Sequence, residues 1–350
     1  MRPRLLPDTH LLPSDRGVVI SGPRHTAAFA VPGMYPWLER LRPFLDGGSS
    51  LDRLAADLPP QAARQVRALV DMLAREGFVR DATDDLPHGL SPQVRERHAA
   101  LIDFVAARAD SPEHRFERYR GCAPVVVGSG RVAGALVLAL LASGVAHVRL
   151  HLADEAARSA EPTTDTARLR ECVASLEAEG GCFRFEQLNG PLRELPADTG
   201  ALLLGSDVLA PEPAARARAL AVRAGVPYGQ ATGRGEHIAI SAVDDPGAPK
   251  DPGAAHGASR SPAPGGPPDS GSGSGQEAAG TADSTGDSGG RTPSPYLGGP
   301  VAALAADRLC LHLLYRMAGL DGSDGGRPSP ASGPAVLDLR TGRFDVADAA

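Results

Sequence analysis

Apolar and polar positions repeat with two different periods along the chain, and the change of period marks its elements. "GVVI" (Gly17–Ile20) and "HTAAFAV" (His25–Val31) are short apolar runs separated by the turn signal "SGPR", which predicts a hairpin. "MYPWLERLRPFLDGG" then puts Trp37, Leu38, Leu41 and Leu45 on one helical face before a glycine stop. "SSLDRLAADL" predicts a second helix, capped by Ser50 and carrying Leu51, Leu54, Ala55 and Leu58 together. A third helix, Gln61–Glu76, aligns Val66, Leu69, Val70 and Leu73 and ends at Gly77, after which Phe78 and Val79 leave as a strand. Hairpin, three helices and a returning strand predict a small winged helix-turn-helix over residues 1–82.

Residues 83–119 read as a linking helix, with Ser91 as cap, Pro92 in the first turn, and Val94, Leu101, Ile102 and Val105 on one side. From residue 120 to 243, strands and helices alternate: Ala123–Val127, Val132–Ala142, Val145–Leu152, Thr166–Ala178, Phe183–Leu188, Ala201–Leu204, Ala214–Ala224 and Ile238–Val243. That alternation predicts an α/β fold with a mostly parallel sheet and helices on both faces. Residues 244–295 contain no Leu, Ile, Val, Met, Phe, Tyr or Trp, so they cannot bury enough apolar area to offset ordering, and they read as a disordered Gly/Ser/Pro-rich insertion. Residues 296–350 return one packing helix and a late strand, Ala335–Phe344.

Composition narrows the function. The net charge of -6 gives no field that attracts nucleic acid or acidic lipid. The third helix carries Arg64, Arg67 and Arg75 but also Asp71 and Glu76, too balanced for phosphate contacts, so DNA is disfavoured. The 4 cysteines, Cys122, Cys172, Cys182 and Cys310, contain no CxxC pair, which argues against zinc and against a disulfide framework. No signal-like run opens the chain, and the longest apolar run, Ala133–Ala142, is too short for a bilayer. A cytoplasmic protein is the expectation.

The chemistry concentrates in "PVVVGSGRVAGALVLALLASGVAHVRLHLAD", Pro124–Asp154. Gly128, Gly130 and Ala133 match G-x-G-x-x-[GA] between an apolar strand and an apolar helix. The glycines permit a tight turn and close approach of a phosphate, Ala133 permits close helix–strand packing, and the helix N-terminus directs amides at an anion. Asp154 stands where a ribose-binding acid would.

This segment resembles the ThiF-like, ubiquitin-activating-enzyme-like adenylating family, and Gly200–Val243 is similar to the later part of that fold, with Asp207 as its acid after the fourth strand and "AGVPY" leading to the next strand. The resemblance implies ATP-dependent activation of a carboxyl terminus. The chain departs from it by lacking an Asn-x-x-Arg-Gln segment around Arg158 and Arg168, and any lysine between the glycine turn and the insertion. With too few cations for a triphosphate, a vestigial site with no cofactor is expected.

The whole order, residues 1–243 and 296–344, resembles the "ocin-ThiF-like" leader-peptide-binding proteins of thiazole/oxazole-modified microcin and thiopeptide pathways. That resemblance implies a non-catalytic adaptor, not an enzyme, that presents a precursor peptide to a YcaO-type cyclodehydratase and dimerises through its ThiF-like part. The leader would add as a strand at His25, Thr26, Ala28 and Ala30, in a groove walled by Arg64, Arg67 and Arg75. The alternatives are an adenylating enzyme acting on a peptide carboxylate and, less supported, a dinucleotide-dependent oxidoreductase.

Overall fold

The computed structural model describes residues 1–23, 25–152, 164–209, 211–246, 297–320 and 334–346. The N-terminal unit starts with β1 (Pro3–Leu5), β2 (His10–Ser14), β3 (Gly17–Ser21) and β4 (Thr26–Phe29). It continues with α1 (Met34–Leu41), α2 (Leu51–Ala55), α3 (Pro60–Arg75) and β5 (Val79–Asp81). The β3–β4 hairpin is joined by β2, giving the antiparallel order β2-β3-β4. Strand β5 returns to pair with β1 rather than with the hairpin. Leu38, Leu41, Val66, Val70, Leu73 and Phe78 meet Val18 and Ile20 in one core, while Trp37 and Leu58 turn outward. Trp37 leaves its expected face because Met34 and Leu38 already fill the side of α1 against the sheet. Ser50 does cap α2, accepting a hydrogen bond from the Arg53 amide at 3.2 Å.

The expected linking helix is broken. It divides at His98 into α4 (Pro92–Arg97) and α5 (Ala99–Ala106), and α6 (Pro112–Arg120) follows. Val94, Ile102, Val105, Phe116 and Tyr119 from these helices are buried in the main core, so the connection is part of the folded body.

The main body alternates β6 (Val125–Ser129), α7 (Gly130–Ala142), β7 (His147–Leu152), α8 (Thr166–Ala178), β8 (Arg184–Leu188), β9 (Leu202–Ser206), α9 (Pro211–Ala224), β10 (Tyr228–Arg234) and β11 (His237–Ile240). It closes with α10 (Gly299–Ala318), β12 (Ala335–Asp338) and β13 (Phe344–Val346). These strands form one 8-stranded sheet in the order β13-β12-β11-β10-β9-β6-β7-β8. Pairing is parallel from β10 through β8 and antiparallel from β10 to β13. The late strand expected at Ala335–Phe344 is two strands, folded back through a turn in which Asp338 accepts from the Arg340 and Thr341 amides. Two cores flank the sheet. One joins α7, α8 and α10 to one face, and the other packs Ala217, Leu220 and Ala221 of α9 on Val125, Val127, Leu202 and Leu204.

Of the expected insertion, only Asp244–Pro246 falls within the described residues. There the backbones of Tyr228 and Asp244 exchange hydrogen bonds of 2.8 and 3.1 Å, so backbone pairing with β10 reaches one residue past Val243.

Candidate functional site

In this topology β6 continues through α7 to β7 on one side, while β9 continues through α9 to β10 on the other. A crevice therefore opens beyond the carboxyl ends of β6 and β9, the usual ligand position in an open parallel sheet. The glycine turn forms its floor. Gly128 has φ 136°, and a Cβ there would lie 1.9 Å from the Gly205 carbonyl oxygen, so only glycine lets β6 lie so close to β9. Gly205 in turn lies against the α7 backbone, with a would-be Cβ 3.0 Å from the Ala133 N and Cα. Ala133 is fully buried at that crossing.

Gly130 (φ 81°) opens the turn to Asp207. The two Asp207 carboxylate oxygens accept hydrogen bonds from the amides of Arg131 (2.9 Å) and Val132 (2.8 Å). The anion that the helix N-terminus was expected to receive is thus supplied from within the chain, by the acid that follows β9. Burial pushes the Asp207 carboxyl above its usual range, and the two amides and the nearby Arg131 charge only partly oppose this.

Around this carboxylate the strand ends bring Ser129, Ser206 and Thr232, all buried. Thr164 donates to the Gly130 carbonyl at 3.0 Å. Arg131 reaches the carbonyl of Leu297, just before α10, and Arg234 is exposed at the end of β10. Asp154 and Arg158 lie outside the described residues, and Arg168 is exposed on α8. Sequence reasoning missed Arg131 although it lies inside the glycine motif. It missed Ser206 because the apolar run of β9 stops at Leu204, two residues short of the strand end, and Thr232 because "YGQATGR" offers too few apolar residues to mark β10 as a strand. These groups fit a magnesium nucleotide in kind: the carboxylate suits a hard cation, and the arginines and hydroxyls suit phosphates. No group of three or more metal-ligating side chains occurs among the described residues.

The second candidate surface is β4, an outer strand of its sheet. The Gly22 amide donates to the His25 carbonyl at 2.9 Å, and the register then pairs Ser21 with Thr26 and Val19 with Ala28. Because antiparallel pairs alternate between bonded and non-bonded, His25, Ala27 and Phe29 turn their backbone groups to β3. Thr26 and Ala28 turn theirs outward, and Ala30 continues the same exposed row. The His25 ring stacks on Phe78, centroids 4.5 Å apart.

On α3, Arg64 and Arg75 are exposed, and Arg75 bonds its own helix at the Asp71 carbonyl. Arg67 is held by Asp52 of α2 at 3.2 Å. At about 100° per residue, Leu69 and Met72 occupy the opposite flank of α3 from Arg67. Both are half-buried against the core that also receives Ala27 and Phe29.

No protein-family model matches the chain, and no curated protein matches it in sequence. Solved structures do match it in fold. The E. coli protein MccB with ATP superposes with TM-score 0.58 at 11% identity, covering 99% of this chain and 96% of that one. Microcin C7 biosynthetic enzyme MccB in complex with N-formylated MccA gives 0.57 at 11% identity, with the same coverage. PaaA gives 0.57 at 15% identity, covering 96% of this chain and 97% of that one.

The main body therefore has the ThiF-like fold, and the likeness extends through the N-terminal unit. It overturns the expectation of a protein without chemistry. Chains of this architecture over nearly the same length include a biosynthetic enzyme solved with ATP, so the architecture gives no ground for expecting a non-catalytic role. Among the described residues no helix is long and apolar enough to cross a membrane.

Proposed function

We propose that this chain is an ATP-using enzyme of ribosomal peptide modification that activates a carboxyl group of a bound peptide. The N-terminal unit, a winged-helix element spanning residues 1–82, holds the peptide as an added strand on β4, and the crevice at the ends of β6 and β9 carries the chemistry. In the step envisaged, a peptide carboxylate oxygen attacks the α-phosphorus of ATP. The bond to the bridging oxygen breaks, and pyrophosphate leaves as the acyl-adenylate forms. Asp207 and the hydroxyls of Ser129, Ser206 and Thr232 line the reacting end, and Arg131 and Arg234 supply positive charge that the sequence pattern alone did not reveal.

The observation that carries this reading is the polar crevice at the switch point of a sheet that matches MccB over 99% of the chain. MccB has been solved with ATP and with the peptide MccA, which supports pairing a nucleotide site with a peptide site here. The YcaO-type partner implied by the family resemblance is not required, because the activating step falls within this chain.

Pyrophosphate–ATP exchange by the purified full chain, supplied with peptides selected on it from a random linear library, tests the proposal. Peptide-dependent exchange that is lost in Arg131→Ala is expected. Absence of exchange while both ATP and peptide bind would overturn it.

A further inference from the structure

The first amides of a helix have no acceptor within the helix and carry its positive end, which is why a phosphate is welcome there. In α7 the amides of Arg131 and Val132 are already spent on Asp207, at 2.9 and 2.8 Å. The carboxylate is seated from both sides. A Cβ on Gly130 would stand 2.3 Å from the Asp207 Cγ, so any side chain at 130 would displace it. A Cβ on Gly233 of β10 would stand 2.0 Å from the Asp207 carbonyl oxygen, so glycine at 233 lets β10 lie directly against the backbone of Asp207. Asp207 is only 5% exposed. Among the described residues it has no ion-pair partner within 4.0 Å, because the Arg131 guanidinium donates to Leu297 instead.

We infer that Asp207 is the resident anion of the glycine turn and excludes a bare nucleotide phosphate from it, making nucleotide binding conditional on neutralising or displacing that carboxylate. This rests on the reading of the crevice as an ATP site and adds its regulation. Two anions cannot share the same pair of amides at contact distance in a buried setting without a cation or proton between them. The turn is therefore closed at rest by a contact within the fold, and an unmetallated nucleotide meets repulsion where a glycine-rich turn usually attracts.

Equilibrium binding of adenosine and of ATP to the full chain, in EDTA and then in excess magnesium, tests this directly. The unmodified protein is expected to bind ATP in EDTA no more tightly than adenosine. Asp207→Ala, which frees both amides, is expected to bind ATP in EDTA at least about tenfold more tightly than the unmodified protein, a larger gain than any it shows for adenosine. The inference falls if the unmodified protein prefers ATP over adenosine tenfold in EDTA. A folded Asp207→Ala with unaltered ATP affinity in EDTA also sinks it. If the variant does not fold, the adenosine–ATP comparison on the unmodified chain decides alone. Binding of neither ligand in magnesium would remove the nucleotide reading itself, and this inference with it. Magnesium-dependent ATP binding accompanied by the tenfold preference in EDTA would remove only the inference.

Discussion

Arg4 of β1 and Glu113 of α6 form a two-pronged ion pair that joins the N-terminal unit to the main body. The guanidinium nitrogens donate to the two carboxylate oxygens at 3.0 and 2.7 Å, and both side chains are under one-fifth exposed. Beside them Asp85 accepts two hydrogen bonds from Arg80, at 2.6 and 2.7 Å, and one from the Ser111 amide at 2.9 Å. Burial alone would raise the Glu113 carboxyl. The hydrogen bonds and charge of Arg4 more than offset that and hold it low. Glu113→Ala removes both hydrogen bonds and leaves Arg4 only its longer contact with Asp85 at 3.8 Å, so it should destabilise the fold by about 2 kcal/mol. Denaturant unfolding of Glu113→Ala, Arg4→Ala and the double variant checks this, with the double variant expected to lose less than the sum of the singles.

Ala28 offers a test of the peptide edge that spares the sheet. Its amide points away from β3, so Ala28→Pro removes an outward donor and no internal bond. Affinity for peptides selected on the protein should fall about tenfold with little change in thermal stability. Ala27→Pro, whose amide faces β3, should instead unfold the hairpin. Equal affinity in Ala28→Pro and the unmodified protein would move the peptide off β4.

His98 gives the fold a pH dependence. Burial, then the charges of Arg120 and Arg97, lower its pKa from the ordinary 6.5 to about 4. Between those values the unfolded chain binds more protons than the folded one, so stability is full above about pH 6.5 and declines as pH falls toward 4. In His98→Gln, melting temperature should fall less steeply across that window. His147, also lowered, keeps part of the slope. The further decline below it, where Glu113 and Asp85 take up protons, should remain. A slope unchanged by the substitution would show that His98 does not titrate with folding.

By itself the sequence determined those features whose cause is local. Thr166–Ala178 is helical within the bounds its periodicity predicts, the hairpin follows its turn residues, and the glycine turn joins strand to helix because its spacing admits little else. Tertiary structure alone decided what depends on partners far along the chain. Strand β10 exists because β9 and β11 supply its hydrogen bonds, since its own composition is weakly apolar. Strand β5 pairs with β1 some seventy residues earlier, and the expected linker breaks at His98 so that α4, α5 and α6 can each turn an apolar side to the main core. Asp207 was legible as an acid of the crevice, but its hold on the α7 amides was not. A hydrogen bond spanning 75 residues depends on how β9 and α7 pack, and no local period encodes that distance.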